Sequence, residues 1–235
     1  MSRIQIIGMP RFGTTWLIAF CHINLKNHIH LHEFFYGLNR DCFFDDISKQ
    51  NFLEDDFFTE ETRHILLRTI KKNNDYQNVI KFLNLYSDFV LKTQITQLNA
   101  FSKSDFMDLS NLMDHRIKII RRDLIESTIS FVYSLYSDDW SSSNRPRKKF
   151  LIDINFFKET LYARKKEYEI LEQLEVDDTV YYEDISKDPL KIWNSLGIEK
   201  KEEVILPKKI KNPPKENYVE NYEQLVEIGK KIINE

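Results

Sequence analysis

The sequence predicts an α/β fold, a mostly parallel central sheet flanked by helices in a three-layer architecture, formed as one domain over residues 1–235. Three observations predict it. Short apolar runs recur along the chain, helical patterns separate them, and the first run ends in a glycine-bearing turn that opens directly into a helix. Parallel strands require crossover connections, which helices usually supply.

The first strand is expected at residues 4–7, within "RIQII", ending at Gly8 and Pro10; Trp16, Phe20 and Ile23 then recur at helical spacing. Further strands are expected in "IHLHEFF" (29–35), "DFVLK" (88–92), "RIKIIR" (116–121) and "DTVYY" (178–182). Helical patterns fill the intervals: a charged stretch at 54–84, a segment from Leu124 to Tyr136, and a long one with Phe157, Leu161, Tyr168, Leu171 and Leu174 on one face. Residues 137–149, "SDDWSSSNRPRKK", read as a surface loop, and 206–217, "LPKKIKNPPKEN", as an irregular basic segment before a last helix.

Composition narrows the function classes. At 42% hydrophobic and 13% aromatic, 235 residues can bury a substantial core. With 34 basic and 37 acidic residues the net charge is −3, so no global electrostatic attraction to nucleic acid or membranes is expected, and any basic site must be local. Two cysteines are too few for a disulfide framework, and Cys21 lies in an apolar helical pattern as a buried thiol. No run of about 18 apolar residues occurs, and the expected setting is soluble and cytoplasmic.

"GMPRFGTT", residues 8–15, has the two glycines of a phosphate-binding loop at G-x-x-x-x-G spacing, but Thr14 and Thr15 stand where a triphosphatase places Lys and Ser or Thr. Backbone N–H groups and the dipole of a helix N-terminus bind phosphate without a cationic side chain. The missing lysine argues against triphosphate hydrolysis, since that residue reaches the β- and γ-phosphates. Arg11 lies inside the loop, where its fork could grip an oxyanion, and Thr14 and Thr15 offer hydroxyl donors. The plain alternative is a strand-to-helix turn. A second feature, "RRDLIESTIS" (121–130), puts Arg122 at the C-terminal end of a strand, where ligands of open α/β sheets bind, with Ser127 and Ser130 on one face of the following helix. Its alternative is a salt bridge from Arg122 to Asp123 or Glu126.

"PRFGTTW" resembles the 5′-phosphosulfate loop of sulfotransferases; "RDLIESTIS" resembles their 3′-phosphate motif, an Arg followed eight positions later by a Ser; and "YYEDISKDPLKIWNSLGIE" (181–199) resembles their later strand-plus-helix segment. The three motifs stand in family order across residues 4–198, and "ENYEQLVE" (220–227) looks like the tail of bacterial and viral relatives. The resemblance implies a fold related to nucleotide kinases and a donor, 3′-phosphoadenosine 5′-phosphosulfate, whose sulfuryl group passes to a hydroxyl or amine. It implies that the loop of Arg11, Phe12, Gly13, Thr14, Thr15 and Trp16 surrounds the 5′-phosphosulfate. Arg11 would neutralise charge on the leaving phosphate, Arg122 and Ser130 would bind the 3′-phosphate, and Tyr182 would lie near the adenine. Tyr182 also reads simply as a core aromatic, and Glu183 and Asp184 as caps of the next turn.

Two departures stand out. Phe12 replaces the usual Ser, and the C-terminal Arg-Lys-Gly loop of the animal branch has no clear match, although Lys209 and Lys211 in "KKIKN" could close over the 3′-phosphate; a solvated basic loop is the alternative. Transfer needs a general base. By resemblance Glu33 takes that role, with His32 and His30 as rivals. His28, His30 and His32 would share one face of a strand, but Glu33 would face the other way, and no metal is expected. The acceptor, a small molecule, glycan or lipid, would be chosen by the variable segments 34–46 and the loop around Trp140.

Overall fold

The computed structural model describes residues 2–25, 28–31, 77–98, 102–137, 148–196, 204–207 and 214–235. Among them the chain forms β1 (Arg3–Gly8), α1 (Thr14–Asn24), β2 (Ile29–Leu31), α2 (Gln77–Leu83), β3 (Phe89–Gln94), α3 (Ile95–Leu98), α4 (Lys103–Leu112) and β4 (His115–Ile120). There follow α5 (Leu124–Ser137), α6 (Ile154–Gln173), β5 (Asp178–Tyr181), α7 (Tyr182–Lys187), a 3₁₀ turn at Pro189–Lys191, α8 (Ile192–Ser195), a second at Lys215–Asn217, and α9 (Tyr222–Asn234).

The described strands make one five-stranded sheet in the order β2-β3-β1-β4-β5, every pair parallel. β1 lies at its centre, with Gly8 opposite Gln94 of β3 and Ile7 opposite Lys118 of β4. Consecutive residues Ile4, Gln5, Ile6 and Ile7 are all buried, as are Val90, Leu91, Lys92 and Thr93. Successive strand residues face opposite sides, so burial on both phases means that the sheet is covered on both faces, the three-layer arrangement expected.

Each strand lies within two residues of its expected span, except that Tyr182 begins a helix instead of ending β5 and that β2 is described only to Leu31. The long helix keeps its face: Phe157, Leu161 and Leu171 are buried, and so is Arg164 among them. Asp153 caps it, accepting a 2.7 Å hydrogen bond from the Phe156 amide. Helix α4 was not legible from periodicity because only Leu109 in it is buried; Ser102, which accepts from the Asp105 amide, supplies its start signal. The C-terminal segment is stitched to the body by a bridge between Phe150 and Val219 and by Asn221, whose amide group exchanges two hydrogen bonds with the backbone of Ile152. No described helix is long and apolar enough to cross a membrane.

Candidate anion-binding site

The loop of residues 9–13 leaves β1 at its C-terminal end, beside the C-terminal ends of β3 and β4. The chain runs from β1 to the far edge on one side and later returns to β4 on the other, and such a switch point opens a crevice at the strand ends. The Phe12 amide donates to the Met9 carbonyl at 3.2 Å, closing the turn. Arg11 and Gly13 both take left-handed backbone, with φ 68° and 92°. Gly13 is the N-cap of α1 and has no side chain to satisfy the helix's first amides, the kind of donors that bind anions at helix N-termini. A Cβ at Gly13 would lie 2.5 Å from the Tyr182 ring, so the tyrosine rests directly on the loop.

Arg11 is a non-glycine residue held in a conformation that ordinarily costs about 1–3 kcal/mol. Its side chain explains what the conformation achieves: Arg11 Nε donates to Ser130 Oγ at 3.0 Å, joining the loop to α5. The loop carbonyls are held as well. Arg164 Nη2 donates to the Pro10 carbonyl at 3.0 Å, and Arg121 Nη1 to the Arg11 carbonyl at 3.2 Å. In a trans peptide N–H and C=O point oppositely, so holding the Pro10 carbonyl against Arg164 turns the Arg11 amide away from it.

A further cation comes from the neighbouring strand: Lys92 of β3, itself buried, donates to Thr15 Oγ1 at 3.2 Å. Thr15 is exposed, Thr14 is buried, and Trp16 stacks on Phe20 at 5.6 Å. Phe12 points inward, fully buried, edge-on to Tyr168 of α6 and beneath the Arg164 guanidinium. Phe12 is thus a core anchor for the loop.

Arg164 is 3% exposed and also donates to Thr128 Oγ1 and Ser127 Oγ. Burial pushes its pKa down to about 10, and Arg11 and Arg121 push the same way, while Glu167 opposes them; the side chain is still cationic at neutral pH. Lys215, delivered by the C-terminal segment, ion-pairs with Glu126 of α5, which also accepts from Tyr222 Oη at 2.9 Å. Burial lowers the Lys215 pKa, the Glu126 contact opposes this, and repulsion from Arg121 and Arg11 adds to the lowering. Arg11 and Arg121 thus repel both Arg164 and Lys215 around the loop.

Arg122, expected at the 3′-phosphate, is turned elsewhere. Its guanidinium makes a bidentate pair with Asp184 of α7, both bonds 2.9 Å, and lies 4.0 Å over the Tyr181 ring. Glu183 accepts from the amides of Arg122 and Asp123 at 3.3 and 3.4 Å, so it steadies the approach to α5 and not its own helix. The alternative pairing of Arg122 with Asp123 or Glu126 is replaced by Asp184, a partner distant in sequence. Ser130 is buried and meets Arg11. Tyr182 lies between Gly13 and the Arg121 guanidinium, 5.0 Å from its ring centre.

Glu33, His32, Lys209, Lys211 and Trp140 lie outside the described residues; His30 lies in β2, opposite Val90 of β3. Sequence reasoning missed Lys92, Arg121, Arg164 and Lys215. The available signals were a lysine inside an otherwise apolar buried strand, a doubled arginine at a strand end, and an arginine at the spacing of the buried face of α6. No protein-family model matches the chain, and no curated protein matches its sequence.

Proposed function

We propose that this protein is a sulfotransferase that moves a sulfuryl group from 3′-phosphoadenosine 5′-phosphosulfate to a hydroxyl or amine of a small molecule, glycan or lipid, in the cytoplasm. The observation that carries the proposal is the Arg11–Ser130 hydrogen bond, which unites the phosphosulfate-like loop and the 3′-phosphate-like motif in one crevice although they stand 119 positions apart. The chemistry of the donor set fits a nucleotide bearing two separated anionic groups. First-turn amides of α1, Thr15, Lys92 and Arg11 would hold the 5′ end, and Ser130 with one of the two consecutive arginines would hold the 3′-phosphate. Tyr182, resting on Gly13, would take the base. When bound, the nucleotide supplies the activated sulfuryl group. Arg11 and Lys92 then stabilise the negative charge that builds on the departing phosphate, the kind of electrostatic help on which such transfers depend. Glu33 is proposed as the base that takes the acceptor's proton.

Thermal unfolding with adenosine 3′,5′-bisphosphate, adenosine 5′-phosphate and ATP with Mg²⁺ tests the reading without knowledge of the acceptor. At about 100 times its Kd, a ligand stabilises the fold by roughly 2.7 kcal/mol, which raises the midpoint by about 5–10 °C in a domain of this size. The expected result is such a shift with the bisphosphate, abolished in Arg11→Ala. A larger shift with ATP would instead favour a divergent nucleotide kinase. Binding of the bisphosphate with no sulfuryl transfer to any of a broad acceptor panel would favour a non-catalytic nucleotide-binding relative.

A further inference from the structure

We infer that Arg121, and not the adjacent Arg122, is the arginine that supplies positive charge to the anion bound at this loop, and that Arg122 is a clamp between β4 and α7. The inference rests on the proposal that the loop holds a phosphate-bearing ligand, and it concerns which side chain meets the phosphate.

The two arginines leave the end of β4 in different company. Arg122 is already engaged: two of its donors meet the two carboxylate oxygens of Asp184 and its face lies over Tyr181. To turn its fork toward a ligand at the loop it would have to give up that two-point ion pair. Among the described residues Arg121 has no ion-pair partner. One of its donors, Nη1, bonds to the Arg11 carbonyl, its face rests on Tyr182, and Nε is buried with no hydrogen-bond partner among the described residues.

A buried donor left unsatisfied in a folded chain costs stability, and a donor on a permanent cation costs more than most. Arg121 repels the cations of both Arg164 and Lys215, although Glu167 attracts the first and Glu126 pairs with the second. A phosphate dianion beside Arg11 and Ser130 would satisfy the free Nε and screen these repulsions together, through the charge-assisted bonds that arginine forms best. The position is defined from three sides. Arg11 brings the loop, Ser130 brings α5, and Tyr182 brings the start of α7.

The test is isothermal titration of the full chain and its variants with adenosine 3′,5′-bisphosphate and, separately, with inorganic phosphate at low ionic strength. Loss of a charge-assisted contact predicts that Arg121→Ala weakens the bisphosphate by about 10- to 100-fold, with Arg121→Lys intermediate. Arg122→Ala should weaken it less than Arg121→Ala does. If Arg121→Ala does not fold, Arg121→Gln, which keeps a donor for the Arg11 carbonyl but no charge, replaces it with the same expectation. An equal or greater loss in Arg122→Ala overturns the assignment and leaves the sulfotransferase reading standing. Wild-type binding of inorganic phosphate, lost in the Arg121 variant, without binding of the bisphosphate would keep the assignment and remove the nucleotide reading. Wild-type binding of neither probe overturns both.

Discussion

Gly13 carries two constraints that no other residue type could meet together. Its φ of 92° is left-handed, and the space where a Cβ would go is filled by the Tyr182 ring at 2.5 Å. Gly13→Ala should therefore lower stability by at least about 1–3 kcal/mol from backbone strain alone, with the ring contact adding to it. Urea denaturation reads the change; a loss under about 0.5 kcal/mol would mean that the loop and Tyr182 separate freely. Cys21 is the opposite case, a residue with no chemistry to offer: burial pushes its thiol up to about 12, so it stays protonated and serves as core.

Helix α6 shows how one element can serve core and site together. Its buried face reads Phe157, Leu161, Arg164 and Leu171, so one position in that stripe is a cation reaching the Pro10 carbonyl beneath the loop. Phe12 and Phe131 lie against the Arg164 guanidinium at 5.7 and 4.9 Å, which lets the charge be buried among rings. The helix starts where Asp153 accepts from the Phe156 amide. Asp153→Ala should cost about 1 kcal/mol, the usual worth of a lost N-cap, seen as a lower midpoint in urea with an unchanged slope. A changed slope would mean that the helix start also shapes the denatured ensemble. Against α5, helix α9 approaches closely enough that a Cβ on Gly229 would meet Ile125 at 2.8 Å.

At the scale of the molecule the candidate site is assembled from both ends of the chain. Residues 9–15 supply the loop, 121–130 the facing helix, and the C-terminal segment supplies Lys215 and Tyr222, which both engage Glu126. The last helix also buries Leu225 and Ile232, each worth about 1.5–3 kcal/mol. Deleting residues 214–235 should therefore lower the thermal midpoint by at least about 6 °C, since each kcal/mol moves a domain of this size by roughly 2–4 °C. An unchanged midpoint would show that the segment is an accessory to the fold.

What the sequence determined by itself was the fold class and the loop. The apolar runs at 4–7 and 117–120 declare buried strands because a parallel sheet covered on both faces tolerates few polar residues, and Gly8 and Gly13 declare the turn because only small, permissive residues fit it. The buried Cys21 was legible from the apolar helical pattern around it. The partners of charged groups were decided only by the tertiary structure. Arg122 pairs with Asp184, 62 positions away, Lys92 reaches Thr15 across 77, and Arg164 reaches Pro10 across 154. Local pattern predicts burial, which depends on the period of one element. It cannot predict which of two adjacent arginines at the end of β4 turns toward the loop, because that depends on where β5 and α7 place Asp184 and Tyr182, and these come together only when the sheet closes.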